Sequence, residues 1–219
     1  MDRYRCDGTE KPKFMNNMIP TLIENFKKRR IQCNYFSTSD ELLNWLENEI
    51  PRDSLIGVGD SLTLDETGVS QFLRLPKFKF LDKYDASLTR SQKDAIYLSN
   101  FSSDCFFLGA NGISLTGEIV QIDGNGSRVA PMLWGPKKVY IVAGTNKISP
   151  TLEEAKQRAR QIAGPLDAKR LNKKTPCAYT GICIDCQSPD RICNSFVTLS
   201  GQFDPERVTV CLVGEAFGF

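Results

Sequence analysis

Residues 105–147 read CFFLGANGISLTGEIVQIDGNGSRVAPMLWGPKKVYIVAGTNK, and the fold turns on this stretch. It opens and closes on apolar runs, Cys105–Leu108 and Val139–Ala143. The second run is continuously apolar, as a central strand covered on both faces must be. Between them lie Asn111-Gly112, Thr116-Gly117-Glu118, Asp123-Gly124-Asn125-Gly126 and Arg128. Thr116-Gly117 suits a tight turn between Ile113–Leu115 and Ile119–Ile122, and Gly124-Asn125-Gly126 accepts positive φ. So much polar, glycine-rich chain between buried strands reads either as a hairpin with well-chosen turns or as the wall of a site.

Working outward, Ser54–Val58 is a further buried strand and runs into Gly57-Val58-Gly59-Asp60-Ser61-Leu62-Thr63. Glycines at the end of a strand let a ligand approach the backbone, and the hydroxyls of Ser61 and Thr63 add donors. The plainer reading is that Asp60 or Ser61 caps the helix that follows. Downstream, Gly144-Thr145-Asn146-Lys147 leaves the central strand at its C-terminal end, where open α/β sheets place ligands.

The remaining elements alternate between the two types. Phe14, Met18, Leu22 and Phe26 form a helical stripe that ends in Lys27-Lys28-Arg29-Arg30, a solvated basic helix end, with Pro20 expected to kink or restart the helix. Gln32–Phe36 reads as a strand. Thr38 and Glu41 suggest a capping box for a helix through Ile50, Lys77–Leu81 a short strand, and Arg90–Asn100 a helix packing Ala95, Ile96 and Leu98. Thr151 and Glu154 suggest a second capping box, on a helix burying Leu152, Ala155, Ala159 and Ile162 and closed by Gly164-Pro165. Strands Phe196–Leu199 and Arg207–Val213 follow. The expected class is α/β, a mostly parallel sheet with helices on both faces. The expected organisation is a flexible segment at 1–12, one domain at 13–219, and a cysteine-rich insertion at 169–194.

Composition narrows the function. With 41% apolar and 25% charged residues and a net charge near +2, the chain has no global field favouring nucleic acid or a membrane surface. Its apolar runs are too short to span a bilayer, and MDRYRCDGTEKPKF has no apolar core of a secretory signal, so the cytoplasm is expected. Histidine is absent, which excludes Ser-His and Cys-His nucleophile pairs and imidazole ligands. Four of the eight cysteines, Cys177, Cys183, Cys186 and Cys193, follow the spacing C-x5-C-x2-C-x6-C. Four soft thiolates suit zinc or an iron–sulfur cluster, while a redox dithiol at Cys183/Cys186 or disulfide pairing are the alternatives. Cys6 and Cys33 are dispersed, and Cys105 and Cys211 lie in apolar strands, where packing explains them. Lys169, Arg170, Lys173 and Lys174 precede the cluster and would offset thiolate charge or meet an anionic partner.

GVGDSLTLDETGV (57–69), LGANGISLTGEIVQIDGNGSRVA (108–130), GPKKVYIVAGTNKI (135–148) and SPDRICN (188–194), in that order, resemble the lactate-utilisation (LUD) domain family, in its cysteine-bearing branch from anaerobic bacteria. The resemblance covers about residues 14–219. It implies a fold similar to the NagB/ribose-phosphate isomerase/CoA-transferase group and a role beside iron–sulfur oxidoreductase subunits in lactate oxidation. Position by position, Gly57, Gly59, Ser61, Thr63 and Glu66 match the first motif, Asn111, Glu118, Asp123, Gly124 and Arg128 the middle one, and Asn146 and Lys147 the third. Asp60 replaces a commoner small residue. Gly-Ile-Ser-Leu follows Asn111 where Ala-Ile-Thr-Glu is commoner, so Leu115 stands at a lost acidic position and Glu118 is the nearest carboxylate. The expectation is a binder of a small anionic ligand, a carboxylate or phosphate held by Lys147, Arg128 and the 57–66 loop, with Glu118 the candidate for chemistry and a zinc or iron–sulfur centre at the cysteines. An acyl- or CoA-transferring enzyme and a non-catalytic partner subunit of an iron–sulfur oxidoreductase are the alternatives. An oligomer is compatible with the sequence.

Overall fold

The computed structural model describes residues 10–219, with side chains from Met18 onward. Residues 1–9, which make up most of the expected flexible segment and include Cys6, lie outside the described residues, as does the side chain of Phe14. In chain order the elements are α1 (Glu10–Lys28), β1 (Gln32–Phe36), α2 (Ser39–Glu49), β2 (Leu55–Val58), α3 (Leu62–Glu66), α4 (Val69–Leu73), β3 (Lys79–Phe80) and α5 (Arg90–Ser99). There follow β4 (Cys105–Gly109), β5 (Gly112–Ser114), β6 (Ile119–Asp123), α6 (Val129–Leu133), β7 (Lys138–Gly144), β8 (Ile148–Ser149) and α7 (Leu152–Arg158). The chain then forms α8 (Gly164–Arg170), α9 (Pro176–Thr180), β9 (Ser195–Leu199) and β10 (Val208–Val213).

Six strands build a parallel sheet in the order β1-β10-β7-β4-β2-β3. Its central strands are apolar on both faces, for the reason their sequence suggests. Phe106, Leu108, Val139, Ile141, Val210 and Leu212 point to a core shared with Leu22 and Phe26 of α1. The alternate residues Phe107, Tyr140, Val142, Cys211 and Val213 meet Leu42 and Leu46 of α2, Leu64 of α3, and Val69 and Leu73 of α4. Side chains alternate along a strand, so only a strand covered on both sides tolerates an unbroken apolar run. The architecture fits a Rossmann-like, NagB-type α/β fold.

The predicted hairpin does not extend this sheet. β5 and β6 pair antiparallel, Ile113 opposite Ile119, about a turn in which Gly117 has φ +89°. They join β8 and β9 in a separate four-stranded sheet of order β8-β5-β6-β9. Ile113, Ile119 and Leu199 of that sheet seal the α1 side of the core, while Val120 and Ile122 receive Ala155 and Ala159. A strand's partner is a tertiary choice, and short apolar strands carry no mark of which sheet they join.

Several local expectations change in the folded chain. α1 runs through Pro20 without restarting. Arg29, expected to be solvated, clasps the second sheet, donating to the main-chain oxygens of Thr116 (2.7 Å) and Ser200 (2.8 Å) and to the Glu118 carboxylate. Thr38 caps α2, but Glu41 reaches back to the N–H of Ser37, not to that of Thr38. The Thr151–Glu154 box is complete. Its helix does not stop at Gly164-Pro165. A π turn at Ala159–Ala163 carries it into α8, the N–H of Gly164 donating to the carbonyl of Ala159. The wider turn shifts the helix phase by about one residue. Ala163 is therefore buried, and Ile162, expected inside, is 47% exposed. α5 buries none of its residues, and Leu98 is 73% exposed. Among the described residues, no helix is long and apolar enough to cross a membrane.

Candidate functional site

The C-terminal ends of β2, β4 and β7 open on one polar cleft. Asp60, Ser61 and Thr63 come from the loop and helix after β2, and Asn111 follows β4. Lys147 follows β7, Arg128 precedes α6, and Asp167 and Arg170 come from α8, with Phe219 closing one side. Ser61 caps α3 by accepting from the N–H of Leu64 (3.4 Å). Gly109 admits Ser61 because a Cβ there would strike the hydroxyl, and Gly59 admits the Arg128 stem in the same way. Gly59 of the first motif and Gly109 of the middle one thus serve close packing inside the protein.

Arg128 is the strut of the cleft. Its Nη2 donates to Gln121 Oε1 (2.8 Å), Asn111 Oδ1 (3.0 Å) and the carbonyl of Ile122 (3.2 Å), and its Nη1 to the carbonyl of Asp60 (3.2 Å). Asp123 shapes the loop below, accepting from the N–H groups of Asn125, Gly126, Arg128 and Val129. Arg158 of α7 ties both walls together through the carbonyls of Asn111 (2.7 Å) and Asn146 (3.0 Å).

Lys147 has a different environment. It is 1% exposed, and the acceptor of its ammonium is the main-chain oxygen of Phe219. Burial, reinforced by the charge of Arg158, pushes its pKa down to about 7 against the pull of Glu66. The Phe217–Phe219 segment is held there by Asn146, which donates to the carbonyls of Phe217 (3.3 Å) and Gly218 (3.2 Å), and by Glu66, which accepts from the N–H of Gly218.

Of the residues singled out in the sequence, Ser61, Thr63, Asn111, Arg128 and Lys147 line the cleft. Asp123 and Gly124 line a wider basin that shares Asp60, Arg128 and Asp167 with it. Gly57, Gly59, Glu66 and Asn146 stand behind these as packing and tethering positions. Glu118 does not join them. It sits on β6's approach in the second sheet, 7% exposed, and is gripped by Arg29, Ser114 and Thr116. Burial raises its pKa, but the two hydroxyl hydrogen bonds and Arg29 outweigh that and leave it below the ordinary carboxylate value.

Three charged residues of the site carried no sequence signal for this role. Asp60 accepts from Arg170 Nη2 (2.6 Å) and from the hydroxyl of Tyr84 (3.1 Å). Burial pushes Asp60 up, and Arg170 more than reverses this. Arg170, which the sequence associates with the cysteines, spends its guanidinium on Asp60 and Asp167. Lys83, from the loop after β3, lines the wider basin and is 8% exposed.

Cys177, Cys183, Cys186 and Cys193 line one narrow apolar pocket, walled by Ile122, Pro165, Ala168, Ile192 and Phe196. All four are free thiols. Among the described residues, no three His, Cys, Asp or Glu side chains are gathered closely enough to hold a metal ion. Arg191 bridges the segment, donating to the carbonyls of Cys186 and Cys193, while its buried Nε has no partner. Burial raises Cys193, with Arg191 opposing. Cys105 and Cys211 are buried in β4 and β10 as packing residues, and burial pushes Cys105 up to about 12.

Comparison with known proteins agrees with this architecture. A duf162 family protein from Deinococcus radiodurans superposes with a TM-score of 0.53 at 12% identity, covering 91% of this chain and 98% of that one, a likeness of fold. eIF2B beta from Chaetomium thermophilum aligns over 54% of this chain and 45% of its own at 14% identity, with a TM-score of 0.35. Comparison with curated proteins finds no match. Residues 19–213, which span both sheets and all of the cleft but Phe219, match the LUD domain, and the chain belongs to the LUD domain family.

Proposed function

We propose that the cleft binds a small carboxylate of the 2-hydroxy-acid class, consistent with the role in lactate utilisation that family membership supports. One observation carries the reading: Lys147 is a fully buried ammonium whose acceptor is a single main-chain oxygen, that of Phe219. A buried charge needs an oxygen partner, and a ligand carboxylate would take the place of that main-chain oxygen with a charge-assisted bond. The guanidinium of Arg128 is largely committed to the protein, so it positions Asn111 and the Asp60 loop and does not hold the ligand by itself. Calorimetric titration with lactate and glycerate tests this. The wild-type chain should bind, and Lys147→Met should weaken binding roughly tenfold or more. Equal affinities for the two proteins would reject the cleft as the site.

A second part of the proposal concerns the cysteines. The four cysteines line one apolar pocket, although no three of them stand close enough to hold an ion as they lie, and the partnerless Nε of Arg191 is on the same wall; this lining supports an iron–sulfur cluster or zinc held by Cys177, Cys183, Cys186 and Cys193 once their side chains close in. A cluster would supply electron transfer and zinc a rigid crosslink. Tyr179, Ile182 and Ile184 are exposed on the same segment, which favours docking of an iron–sulfur oxidoreductase subunit there. Anaerobically purified protein should either show broad absorption near ~400 nm or contain stoichiometric zinc. Colourless, metal-free protein would reject the centre. Acyl transfer through Glu118 gains no support from a carboxylate already held by Arg29, Ser114 and Thr116.

A further inference from the structure

Lys83 faces the wider basin from its outer wall. Its ammonium rests between two aromatic faces, 5.2 Å from the ring centre of Tyr84 and 5.7 Å from that of Tyr97. Among the described residues, no hydrogen bond or ion pair reaches it. The other cations lining the basin are engaged: Arg128 by Asn111 and Gln121, Lys173 by Asp190 (3.4 Å), and Arg191 by Asp185 (3.3 Å). The acids are engaged as well. Asp60 and Asp167 are held by Arg170, and Asp123 is surrounded by main-chain N–H groups. Ring faces attract an ammonium but accept none of its three N–H bonds in the way an oxygen does. An amine that is nine-tenths buried and directed at an open polar basin is therefore a donor awaiting an acceptor.

We propose that Lys83 is a second anion seat, so that the natural ligand carries two anionic groups, a carboxylate at Lys147 and a phosphate or second carboxylate at Lys83. This rests on the carboxylate reading of Lys147. The two compartments share Asp60, Arg128 and Asp167, so one elongated molecule can lie across both. Burial pushes the Lys83 pKa down to about 8, with Asp60 and Asp123 drawing it up and Arg128 and Arg170 drawing it down, so the seat is charged at neutral pH.

The test compares three 2-hydroxy acids by calorimetry on the whole chain: glycerate, with one anionic group, malate, with a second carboxylate, and 3-phosphoglycerate, with a phosphate. At least one of the two acids with a second anionic group should bind roughly tenfold or more tightly than glycerate, and which one does so identifies that group. Lys83→Met should erase that difference and Lys83→Arg should restore part of it. A second readout does not depend on Lys147. Inorganic phosphate or malonate should slow acetylation of Lys83, followed by mass spectrometry, in both the wild type and Lys147→Met. If no 2-hydroxy acid binds but these anions shield Lys83, the carboxylate reading of Lys147 falls and the second seat stands. If Lys83 is labelled at the same rate with and without the anions, the second seat is overturned.

Discussion

Replacing Lys147 with methionine should change how stability depends on pH, in a direction that burial of the amine dictates. In the unfolded chain the amine titrates at its ordinary value of 10.5, and in the fold at about 7. Above 10.5 the amine is neutral in both states, so its ionisation has no effect on stability. As pH falls from 10.5 towards 7, the unfolded chain takes up a proton that the folded chain refuses, and stability is lost at about 1.4 kcal/mol per pH unit. Below 7 both states are protonated and the full penalty is present, about 5 kcal/mol for a shift of this size. Methionine fills similar volume and carries no proton. The wild-type unfolding free energy minus that of Lys147→Met should therefore rise by about 3–4 kcal/mol between pH 7 and pH 10 and stay flat between pH 5 and pH 6.5. Taking the difference cancels the titration of every other group. Loss of the bond to Phe219 adds a constant offset that leaves the slope unchanged. Urea denaturation of both proteins at half-unit intervals measures it. A difference independent of pH would refute the argument that the fold holds this amine in a desolvated seat.

Other outcomes follow from particular contacts. Arg29→Ala leaves the Glu118 carboxylate and two main-chain oxygens without their donor, and should cost about 2–4 kcal/mol in urea denaturation. A double-mutant cycle with Glu118→Gln should show strong coupling, and additivity would mean the pair is solvent-screened. Gly109→Ala drives a methyl into the hydroxyl of Ser61 and should lose about 1–3 kcal/mol, most of it recovered by adding Ser61→Gly. If the second change gives no recovery, the contact is not the cause. In the binding experiments, affinity for a monocarboxylate should fall as pH rises through 7, because the empty Lys147 seat loses its proton there and only the ammonium attracts the anion. Calorimetry at pH 6 and pH 9 reads this directly, and equal affinities would exclude Lys147 as the anion seat.

The α/β class, the central strands and the helix starts could be read from the residues because their causes are local. Val139–Ala143 is apolar at every position, and only a doubly covered strand allows that. Thr151 and Glu154 close a capping box within one turn of helix, and Gly117 takes the positive φ its turn requires. The gathering of Ser61, Thr63, Asn111, Arg128 and Lys147 followed from a topological rule, that the C-terminal ends of parallel strands share one edge.

What those residues do at that edge depended on partners far along the chain. Glu118 and Arg128 are both charged residues of one polar stretch, yet Arg29 draws the first into an ion pair of the second sheet while Gln121 and Asn111 make the second a strut. The π turn that exposes Ile162 has no local signature beyond Gly164-Pro165, which in isolation reads as a stop. Lys83 is one lysine in an unremarkable loop until the fold brings Tyr84 and Tyr97 around it and opens a basin in front of it. Periodicity and capping report how a segment meets its nearest neighbours. The charge state and free donors of a side chain are set by burial and by groups up to a hundred or more residues away, as with Asp60 and Arg170, and only the folded chain brings these together.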